Sequence, residues 1–444
     1  MNKYLNNLYL DLKNKYPLEK EYLNAVNEFF ISINDLVTNN PEFEKSNIIK
    51  SMIYPDRVIS FKVIWEDRFG KNQVNTGYRI QFNQALGPYK GGTRFTKNVN
   101  ESILKFLAFE QTFKNSLTGI PMGGAKGGSD FDPIDKTELE IKRFSKSYMR
   151  ELFKYLGPTQ DIPAGDIGVS KEEIGYMYGE YKKLTNRHDG VLTSKDPSYG
   201  GSLVRTESTG FGICYMAEIA LKKYHNTTLK NKKIVISGTG NVGMNIAKKA
   251  HELGALVVAM SNITGVISND NGLDINFLAN HFNPNNNLEE YLNHDKKAKF
   301  SKNLKDIWKI KTDIAIPAAT QNELDINDAV NLTNNNILAL VEGANMPSTL
   351  DAINHFTENK TLFIPSKAAN AGGVLVSGLE MHQNAIFARW SFDKVDLKLK
   401  ESMNHIFNDI YNLAKENNDE YNLLKYANII SFLRIYEAMK HQDL

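Results

Sequence analysis

The segment Gly238-Thr239-Gly240-Asn241-Val242-Gly243 constrains the fold more than any other part of the chain. It follows a short strand pattern that ends in Ile234-Val235-Ile236-Ser237 and opens a helical pattern that ends at Gly254, before an apolar run at 256–260. In the spacing G-x-G-x-x-G, the first glycine makes the turn, the second admits a pyrophosphate and the third lets helix and strand approach. The helix N-terminus then stabilises the phosphate charge. A β-α-β dinucleotide-binding unit is therefore predicted, with cofactor-binding candidates Gly238, Gly240, Asn241, Val242 and Gly243.

The residue that ends the second strand bears on cofactor choice. In such units an acidic residue there holds the ribose 2′-hydroxyl. Here the position belongs to Asn262, within Ser261-Asn262-Ile263-Thr264. A neutral amide does not repel a 2′-phosphate as a carboxylate would, so we expect NADP to be favoured and NAD to remain possible. No arginine lies beside Asn262, which leaves the preference open.

Three more short apolar runs, at 314–316, 337–341 and 362–364, alternate with helical segments. This alternation predicts a parallel, doubly wound sheet. Polar residues follow the runs, among them Asn345, and the carboxyl ends of parallel strands are where such sheets bind ligands. Thr209, at the start of an earlier helix, is a candidate nicotinamide contact; a plain helix N-cap is the alternative.

Lysines beside glycines mark the first half. Lys126 lies between two glycine pairs, Lys90 precedes Gly91-Gly92, and Lys114 falls with Gln111 near the end of a helix predicted over 101–117. These positions are expected on a glycine loop, a strand end and a helix end. If they converge, two cations can hold the carboxylates of a diacid and push the third lysine toward its neutral, reactive form. The alternative for each alone is a solvated lysine.

Asp166 lies in the tight turn Gly165-Asp166-Ile167-Gly168 and could exchange protons with Lys126. It could instead cap the helix that starts near Ser170. Since Ser170-Lys171-Glu172-Glu173 already has the pattern of a capping box, Asp166 is available for another role.

Composition sets wider limits. With 444 residues the chain is long enough for two or three domains, and its net charge of +2 offers no field for nucleic acid. Its one cysteine, Cys214, excludes an internal disulfide and a cysteine metal cluster, and no metal site is expected. No apolar signal or membrane-length run is present, so we expect a cytoplasmic protein with no membrane partner.

Several motifs together resemble the hexameric, small-subunit glutamate dehydrogenases of the Glu/Leu/Phe/Val dehydrogenase superfamily, over nearly the whole chain. They begin at Lys90, Lys114, Pro121, Pro163, Ala319, Glu342 and Lys367. The resemblance implies an α/β protein of two domains. Residues 1–200, joined by the C-terminal helix 420–444, would form a substrate-binding and oligomerisation domain, and residues 201–419 a Rossmann dinucleotide-binding domain.

The resemblance also implies the roles of individual residues. Lys126 corresponds to the catalytic lysine and Asp166 to the proton-transfer aspartate. Lys90 and Ser377 correspond to residues that hold the side-chain carboxylate of glutamate. The remaining matches are the α-carboxylate positions Gln111 and Lys114, the α-amino position Gly165, and the cofactor contacts Thr209 and Asn241. A homohexamer that oxidatively deaminates L-glutamate to 2-oxoglutarate and ammonia is expected.

Two departures from the family pattern stand out. Thr206 and Ser208 replace a usual proline and alanine, and Asn262 replaces a frequent aspartate. Two other functions remain open: a dehydrogenase of branched or aromatic amino acids, against which Lys90 and Ser377 argue, and a non-catalytic dinucleotide-binding scaffold, which would leave the lysines and Asp166 without a purpose.

Overall fold

A computed structural model describes residues 1–282 and 285–444, which divide into two compact units. Unit 1 comprises Met1–Arg205, Val374–Val395 and Asn428–Leu444, and unit 2 comprises Thr206–Gly373 and Asp396–Ala427. The predicted boundaries assigned residues 374–395 to the nucleotide-binding domain. They group with unit 1 instead, where Glu380 forms an ion pair with Lys195 at 2.8 Å.

Both units contain α-helices and β-strands. The helices are α1 Lys3–Lys15, α2 Lys20–Thr38, α3 Glu42–Ser46, α4 Ile48–Met52, α5 Glu101–Leu117, α6 Glu138–Leu152, α7 Lys171–Thr185, α8 Ser208–His225, α9 Asn241–Glu252, α10 Ile275–His281, α11 Ile326–Asn334, α12 Leu350–Glu358, α13 Ser366–Ala369, α14 Gly372–Ala385, α15 Phe392–Glu416 and α16 Leu423–Gln442. The strands are β1 Arg57–Glu66, β2 Asn72–Asn83, β3 Tyr89–Phe95, β4 Gly124–Ser129, β5 Asp161–Gly165, β6 Lys233–Ser237, β7 Leu256–Asn262, β8 Gly265–Ser268, β9 Lys299–Ser301, β10 Ile314–Pro317, β11 Ala339–Val341 and β12 Leu362–Ile364.

The sheet of unit 1 has the order β1-β2-β4-β3-β5. β1 and β2 form an antiparallel pair, whereas β3 runs parallel to both β4 and β5. The expected glycine loop around Lys126 was wrong, because this segment is the fully buried strand β4. Its glycines serve close packing: a Cβ at Gly124 would come within 1.9 Å of Thr112 Oγ1 on α5.

Helix α7 begins where the sequence predicts. Ser170 caps it in a capping box, and the Ser170 backbone N–H donates to Glu173 Oε2 at 2.7 Å. This exchange satisfies donors that a helix start leaves unpaired. Asp166 therefore does not cap α7.

The sheet of unit 2 has the order β12-β11-β10-β6-β7-β8-β9. The strands from β12 to β7 are parallel, as predicted, while β8 and β9 extend the edge in antiparallel fashion and were not foreseen. Strand residues such as Val235, Ala315 and Leu340 are fully buried in its core. Parallel strands place their carboxyl ends on one edge, which collects the loops after β6, β10, β11 and β12.

No helix within residues 1–282 or 285–444 is long and apolar enough to cross a membrane. Across the same residues, no group of three or more His, Cys, Asp or Glu side chains is arranged to hold a metal ion.

Candidate functional site

Lys126 and Asp166 meet on one face of the unit 1 sheet. Thr93 of β3 is level with Gly127 of β4 on one side and with Gly165 of β5 on the other. This register brings the lysine and the aspartate to either side of β3, and Lys126 Nζ lies 3.0 Å from Asp166 Oδ2. The ion pair therefore follows from the order of three neighbouring strands.

Arg94 is a second cationic partner of Asp166, and the sequence analysis did not predict it. Its Nε donates to the same Asp166 oxygen at 2.8 Å. The sequence held a usable signal, since Arg94 lies two residues after Gly92 on the same strand, so the period-2 alternation places both on one face.

Gly92 makes room for the contact between Lys126 and Asp166. A Cβ on Gly92 would lie 2.9 Å from Asp166 Cβ and 3.3 Å from Lys126 Nζ. The first distance is shorter than carbon atoms tolerate, so a side chain there would displace one member of the pair. The glycine is thus required by the site, even though it lies within a strand.

Burial and charge act in opposite directions on the two groups. Burial lowers the pKa of Lys126, Asp166 partly restores it, Arg94 lowers it again, and the net pKa is below the usual lysine range. Burial alone would raise the pKa of Asp166, but Lys126 and Arg94 outweigh it and the net pKa is lowered. A lysine that deprotonates easily beside an ionised carboxylate can accept and return protons.

Lys90 is almost fully buried, 1% exposed, near the start of β3. Burial, and then the positive charges of Arg79 and Arg205, hold its pKa well below the usual lysine range, although Glu380 and Asp161 oppose them. We had expected other lysines to cause such shifts. Instead, burial is the largest cause of the lowered pKa at both Lys90 and Lys126, and the positive charges that add to it belong to arginines. A buried amine in a field of arginines is a site for an anion.

The rest of this cluster is held by buried ion pairs. Arg79 Nε donates to Asp161 Oδ2 at 2.9 Å, and both side chains are fully buried. Glu380, also unpredicted, pairs with Lys195 and accepts the Ser194 backbone N–H at 3.0 Å. Their roles depend on contacts between distant parts of the chain, which no local pattern reveals.

Ser377 lies on α14, one turn before Glu380, and is 2% exposed. The neighbouring Gly378 touches the segment that leads into β4, because a Cβ on it would lie 2.7 Å from Ile120 Cδ1. Helix α14 is thereby fixed beside the strand that carries Lys126.

Gln111 is linked to both lysine-bearing strands through Asn115. Gln111 Nε2 donates to Asn115 Oδ1 at 2.6 Å, and Asn115 Nδ2 donates to the carbonyls of Lys90 at 3.1 Å and Gly123 at 2.6 Å. Lys114 is half-buried near the C-terminal end of α5, and its convergence with the other lysines stays a prediction. Gly165 ends β5, where a Cβ would lie 2.6 Å from the Val169 carbonyl oxygen.

The glycine turn of unit 2 has the geometry that a dinucleotide requires. Gly238 adopts a φ of +88°, and a Cβ on Gly243 would lie 2.0 Å from the Gly238 carbonyl oxygen. Helix α9 begins at Asn241 with Gly240 as N-cap and no side-chain cap, so its first N–H groups remain for a phosphate. The residues present therefore fit a pyrophosphate.

The other predicted cofactor contacts lie within unit 2. Asn241 Nδ2 donates to the Thr206 carbonyl at 2.9 Å, and the half-buried Val242 follows it in the first turn of α9. Thr209 is not an N-cap, because Glu207 holds that position in α8. Asn262 ends β7, and Asn345 Oδ1 accepts a hydrogen bond from Asn370 Nδ2 at 2.9 Å.

Glu342 organises the loop that carries Asn345. It is 2% exposed and accepts the backbone N–H groups of Ser366 at 2.8 Å and Ser348 at 3.2 Å. Burial raises the pKa of Glu342 from 4.5 to about 7, and these hydrogen bonds only partly oppose the rise.

We expect this carboxyl to make stability fall as pH rises from 4.5 to 7, because the native state keeps the proton that the unfolded chain has lost. The gap between 4.5 and about 7 corresponds to about 3 kcal/mol of unfolding free energy. Urea unfolding of wild type and Glu342→Gln across this range measures the effect, since other groups cancel in the difference. If the difference in unfolding free energy between wild type and Glu342→Gln did not change with pH, the expectation would be contradicted.

Comparisons with known proteins identify the family to which the chain belongs. Residues 200–443 match the family described as Glutamate/Leucine/Phenylalanine/Valine dehydrogenase, and residues 55–183 match the Glu/Leu/Phe/Val dehydrogenase dimerisation domain. The chain is 48% identical to the NAD-specific glutamate dehydrogenase of Bacteroides fragilis, over 98% of both chains. It is 45% identical to the NADP-specific glutamate dehydrogenase of Helicobacter pylori, over 99% of this chain and 100% of the relative.

A solved structure is similar throughout. The crystal structure of Plasmodium falciparum glutamate dehydrogenase matches with a TM-score of 0.95 and 43% identity, covering 99% of this chain and 94% of that one. The paired lysine and aspartate, the buried amine and the glycine turn thus occur in a chain that belongs to the glutamate, leucine, phenylalanine and valine dehydrogenase family.

Proposed function

We propose that the chain is a glutamate dehydrogenase, which converts L-glutamate, water and NAD(P)⁺ to 2-oxoglutarate, ammonium, NAD(P)H and a proton, with NADP favoured. The observation that carries this proposal is the Lys126–Asp166 ion pair at 3.0 Å with Lys90 buried on the adjoining strand. The relatives described above, which bear glutamate dehydrogenase names, support it.

The substrate would be held by its two carboxylates. The buried Lys90 and Ser377 would bind the side-chain carboxylate, while Gln111 and Lys114 would bind the α-carboxylate beside Gly165. A carboxylate that enters the field of Arg79 and Arg205 favours the charged form of Lys90. An apolar side chain would instead leave this buried amine without an anion, which disfavours leucine or valine.

Proton transfer would fall to Lys126 and Asp166. A nicotinamide cofactor, when bound, would supply the acceptor for the hydride that leaves the α-carbon. Lys126, with its lowered pKa, accepts a proton from the water that attacks the resulting imine and later returns a proton to the departing amine. Asp166 exchanges protons with that amine, and Arg94 holds its carboxylate in place. The pyrophosphate would be held by Gly238, Gly240 and Gly243. The nicotinamide side of the cofactor would be held by Thr209, Asn241 and Asn345.

An assay of NAD(P)H absorbance with purified protein tests the proposal. We expect turnover with L-glutamate, and in reverse with 2-oxoglutarate and ammonium, and far lower rates with leucine or norvaline. Appreciable leucine turnover without glutamate turnover would favour the branched-chain alternative. Cofactor binding without turnover of any amino acid would favour the scaffold.

Gly92→Ala offers a second test, because it adds only one methyl group between Lys126 and Asp166. A displacement of about 1 Å at reacting groups can cost on the order of 10²-fold in rate, so we expect kcat to fall by about that factor. Gly179→Ala is the matched control, since a Cβ there has open space within 4 Å. Equal kcat values in both variants would contradict the role of Gly92.

The assembly is proposed to be a homohexamer, with unit 1 as the substrate-binding and oligomerisation domain and unit 2 as the nucleotide-binding domain. The match of residues 55–183 to a dimerisation domain supports this arrangement. Size-exclusion chromatography with light scattering tests the hexamer. We expect a mass near six times 50.2 kDa, and the mass of a monomer would reject the proposal.

A further inference from the structure

The turn that ends β7 connects a predicted cofactor residue to the Asn-rich run 283–287, of which 283 and 284 lie outside the described residues. Asn262 pairs with Gly265 across this tight turn between β7 and β8, with Ile263 exposed at its tip. Segment 285–288 contacts the same turn through Asn286 and Leu288.

Hydrogen bonds fix the orientation of the Asn262 amide. The backbone N–H of Thr264 donates to Asn262 Oδ1 at 2.8 Å, and the Thr264 hydroxyl donates to the same oxygen at 2.7 Å. A backbone N–H can only donate, so the amide oxygen must face Thr264. The amide nitrogen then faces segment 285–288, where Nδ2 donates to the Asn286 carbonyl at 2.8 Å.

The Thr264 hydroxyl is itself held in place. Its oxygen accepts the backbone N–H of Leu288 at 3.0 Å. For its single proton, the Asn262 oxygen at 2.7 Å is a closer acceptor than the Asn286 carbonyl at 3.5 Å. A continuous chain of hydrogen bonds thus runs from Leu288 through Thr264 and Asn262 to Asn286.

This network decides what Asn262 can offer a ribose. Both lone pairs of Oδ1 are occupied by Thr264, and one N–H of Nδ2 is given to Asn286. These bonds leave the second N–H, which is a donor. A ribose 2′-hydroxyl is normally held by an acceptor, whereas a 2′-phosphate only accepts. Neither 261–265 nor 285–288 contains an acidic residue that could supply an acceptor or repel a phosphate.

We propose that Thr264, anchored by segment 285–288, is a specificity-determining residue that favours NADP over NAD by occupying the acceptor oxygen of Asn262. The inference rests on the proposed function, because it assumes that the β7 end receives the adenosine ribose. Thr264 acts through Asn262 and not by touching the reacting atoms.

The test measures dissociation constants of NADPH and NADH by the fluorescence of the bound nicotinamide, independently of turnover. Wild type is expected to bind NADPH more tightly. Thr264→Val keeps the backbone N–H but frees one lone pair of Asn262, so its preference for NADPH should fall by about five- to tenfold, the value of one hydrogen bond. Thr264→Ser retains the hydroxyl and is expected to keep the wild-type ratio within about twofold.

Asn262→Asp provides an independent arm if the valine variant fails to fold. A carboxylate can accept from a 2′-hydroxyl and repels a 2′-phosphate, so the preference should reverse toward NADH, by about 100-fold or more relative to wild type. Wild type that prefers NADH, an unchanged ratio in Thr264→Val, or retained NADPH preference in Asn262→Asp would each overturn the inference. Failure of the proposed function looks different: both cofactors bind with the expected ratios, but no amino acid is oxidised.

Discussion

Lys126→Met should lower kcat for glutamate oxidation by about 10³- to 10⁴-fold, because it removes the group that exchanges protons with the attacking water. The Km for glutamate should change far less, since the substrate carboxylates are assigned to Lys90, Ser377, Gln111 and Lys114. Folding should survive: methionine has a similar length, Lys126 is 6% exposed, and Asp166 keeps its bond to Arg94. Steady-state kinetics with thermal unfolding measure both effects.

Lys97→Met is the matched control, because it makes the same substitution at an exposed position just after β3. It should leave kcat unchanged. Wild-type kcat/Km should also rise with pH and then level off, because Lys126 must be neutral to accept a proton. The midpoint of this rise should lie at a pH below the usual lysine pKa, since the pKa of Lys126 is lowered. Near-normal turnover in Lys126→Met would reject the mechanism.

The sequence was most informative where a local rule determined the outcome. The spacing from Gly238 to Gly243 predicts the turn and helix α9, since the requirement for glycine there depends only on neighbouring residues. The capping box at Ser170 was equally local, and the structure confirms it.

Elements that depend on distant contacts were harder to predict. Glycines on either side of Lys126 suggested a loop, yet they form β4, because Thr112 and the Arg94 backbone fill the space where side chains would stand. Whether a segment forms a strand depends on the side chains and backbone that pack against it, and a single sequence does not show these neighbours. The partner of Asp166 that sequence reasoning missed, Arg94, depends in the same way on the pairing of β3 with β5.

The sequence predicted that a lysine in the site would have a lowered pKa, but it did not predict the cause. We expected neighbouring lysines to depress a lysine pKa, whereas burial comes first and arginines second at both Lys90 and Lys126. Arg79 lies 11 residues before Lys90 and Arg205 lies 115 residues after it, and only the fold brings both charges close to Lys90. This difference matters because an arginine keeps its charge throughout, and the field at Lys90 is therefore permanent.

Lys90→Met should change substrate choice and leave the fold intact. The variant removes the cation assigned to the side-chain carboxylate of glutamate, and loss of one partner from a buried charge pair costs about 2–5 kcal/mol. We expect kcat/Km for glutamate to fall by about 10³-fold, while that for norvaline, which lacks the carboxylate, stays level or rises. The ratio of the two kcat/Km values is the measurement.

Lys105→Met separates this effect from general damage, because Lys105 is also 1% exposed but already pairs with Glu19 and Glu101. Its removal leaves these carboxylates without their cation, so it should lower stability and leave the ratio of glutamate to norvaline unchanged. Lys90 differs from Lys105 because its charged form is destabilised where it is buried, as its pKa well below normal shows. Its charged form becomes favourable only when an anion binds beside it. Lys90→Met should therefore unfold no more easily than wild type. If it loses stability as Lys105→Met does and keeps its preference for glutamate, Lys90 is structural and the substrate carboxylate binds elsewhere.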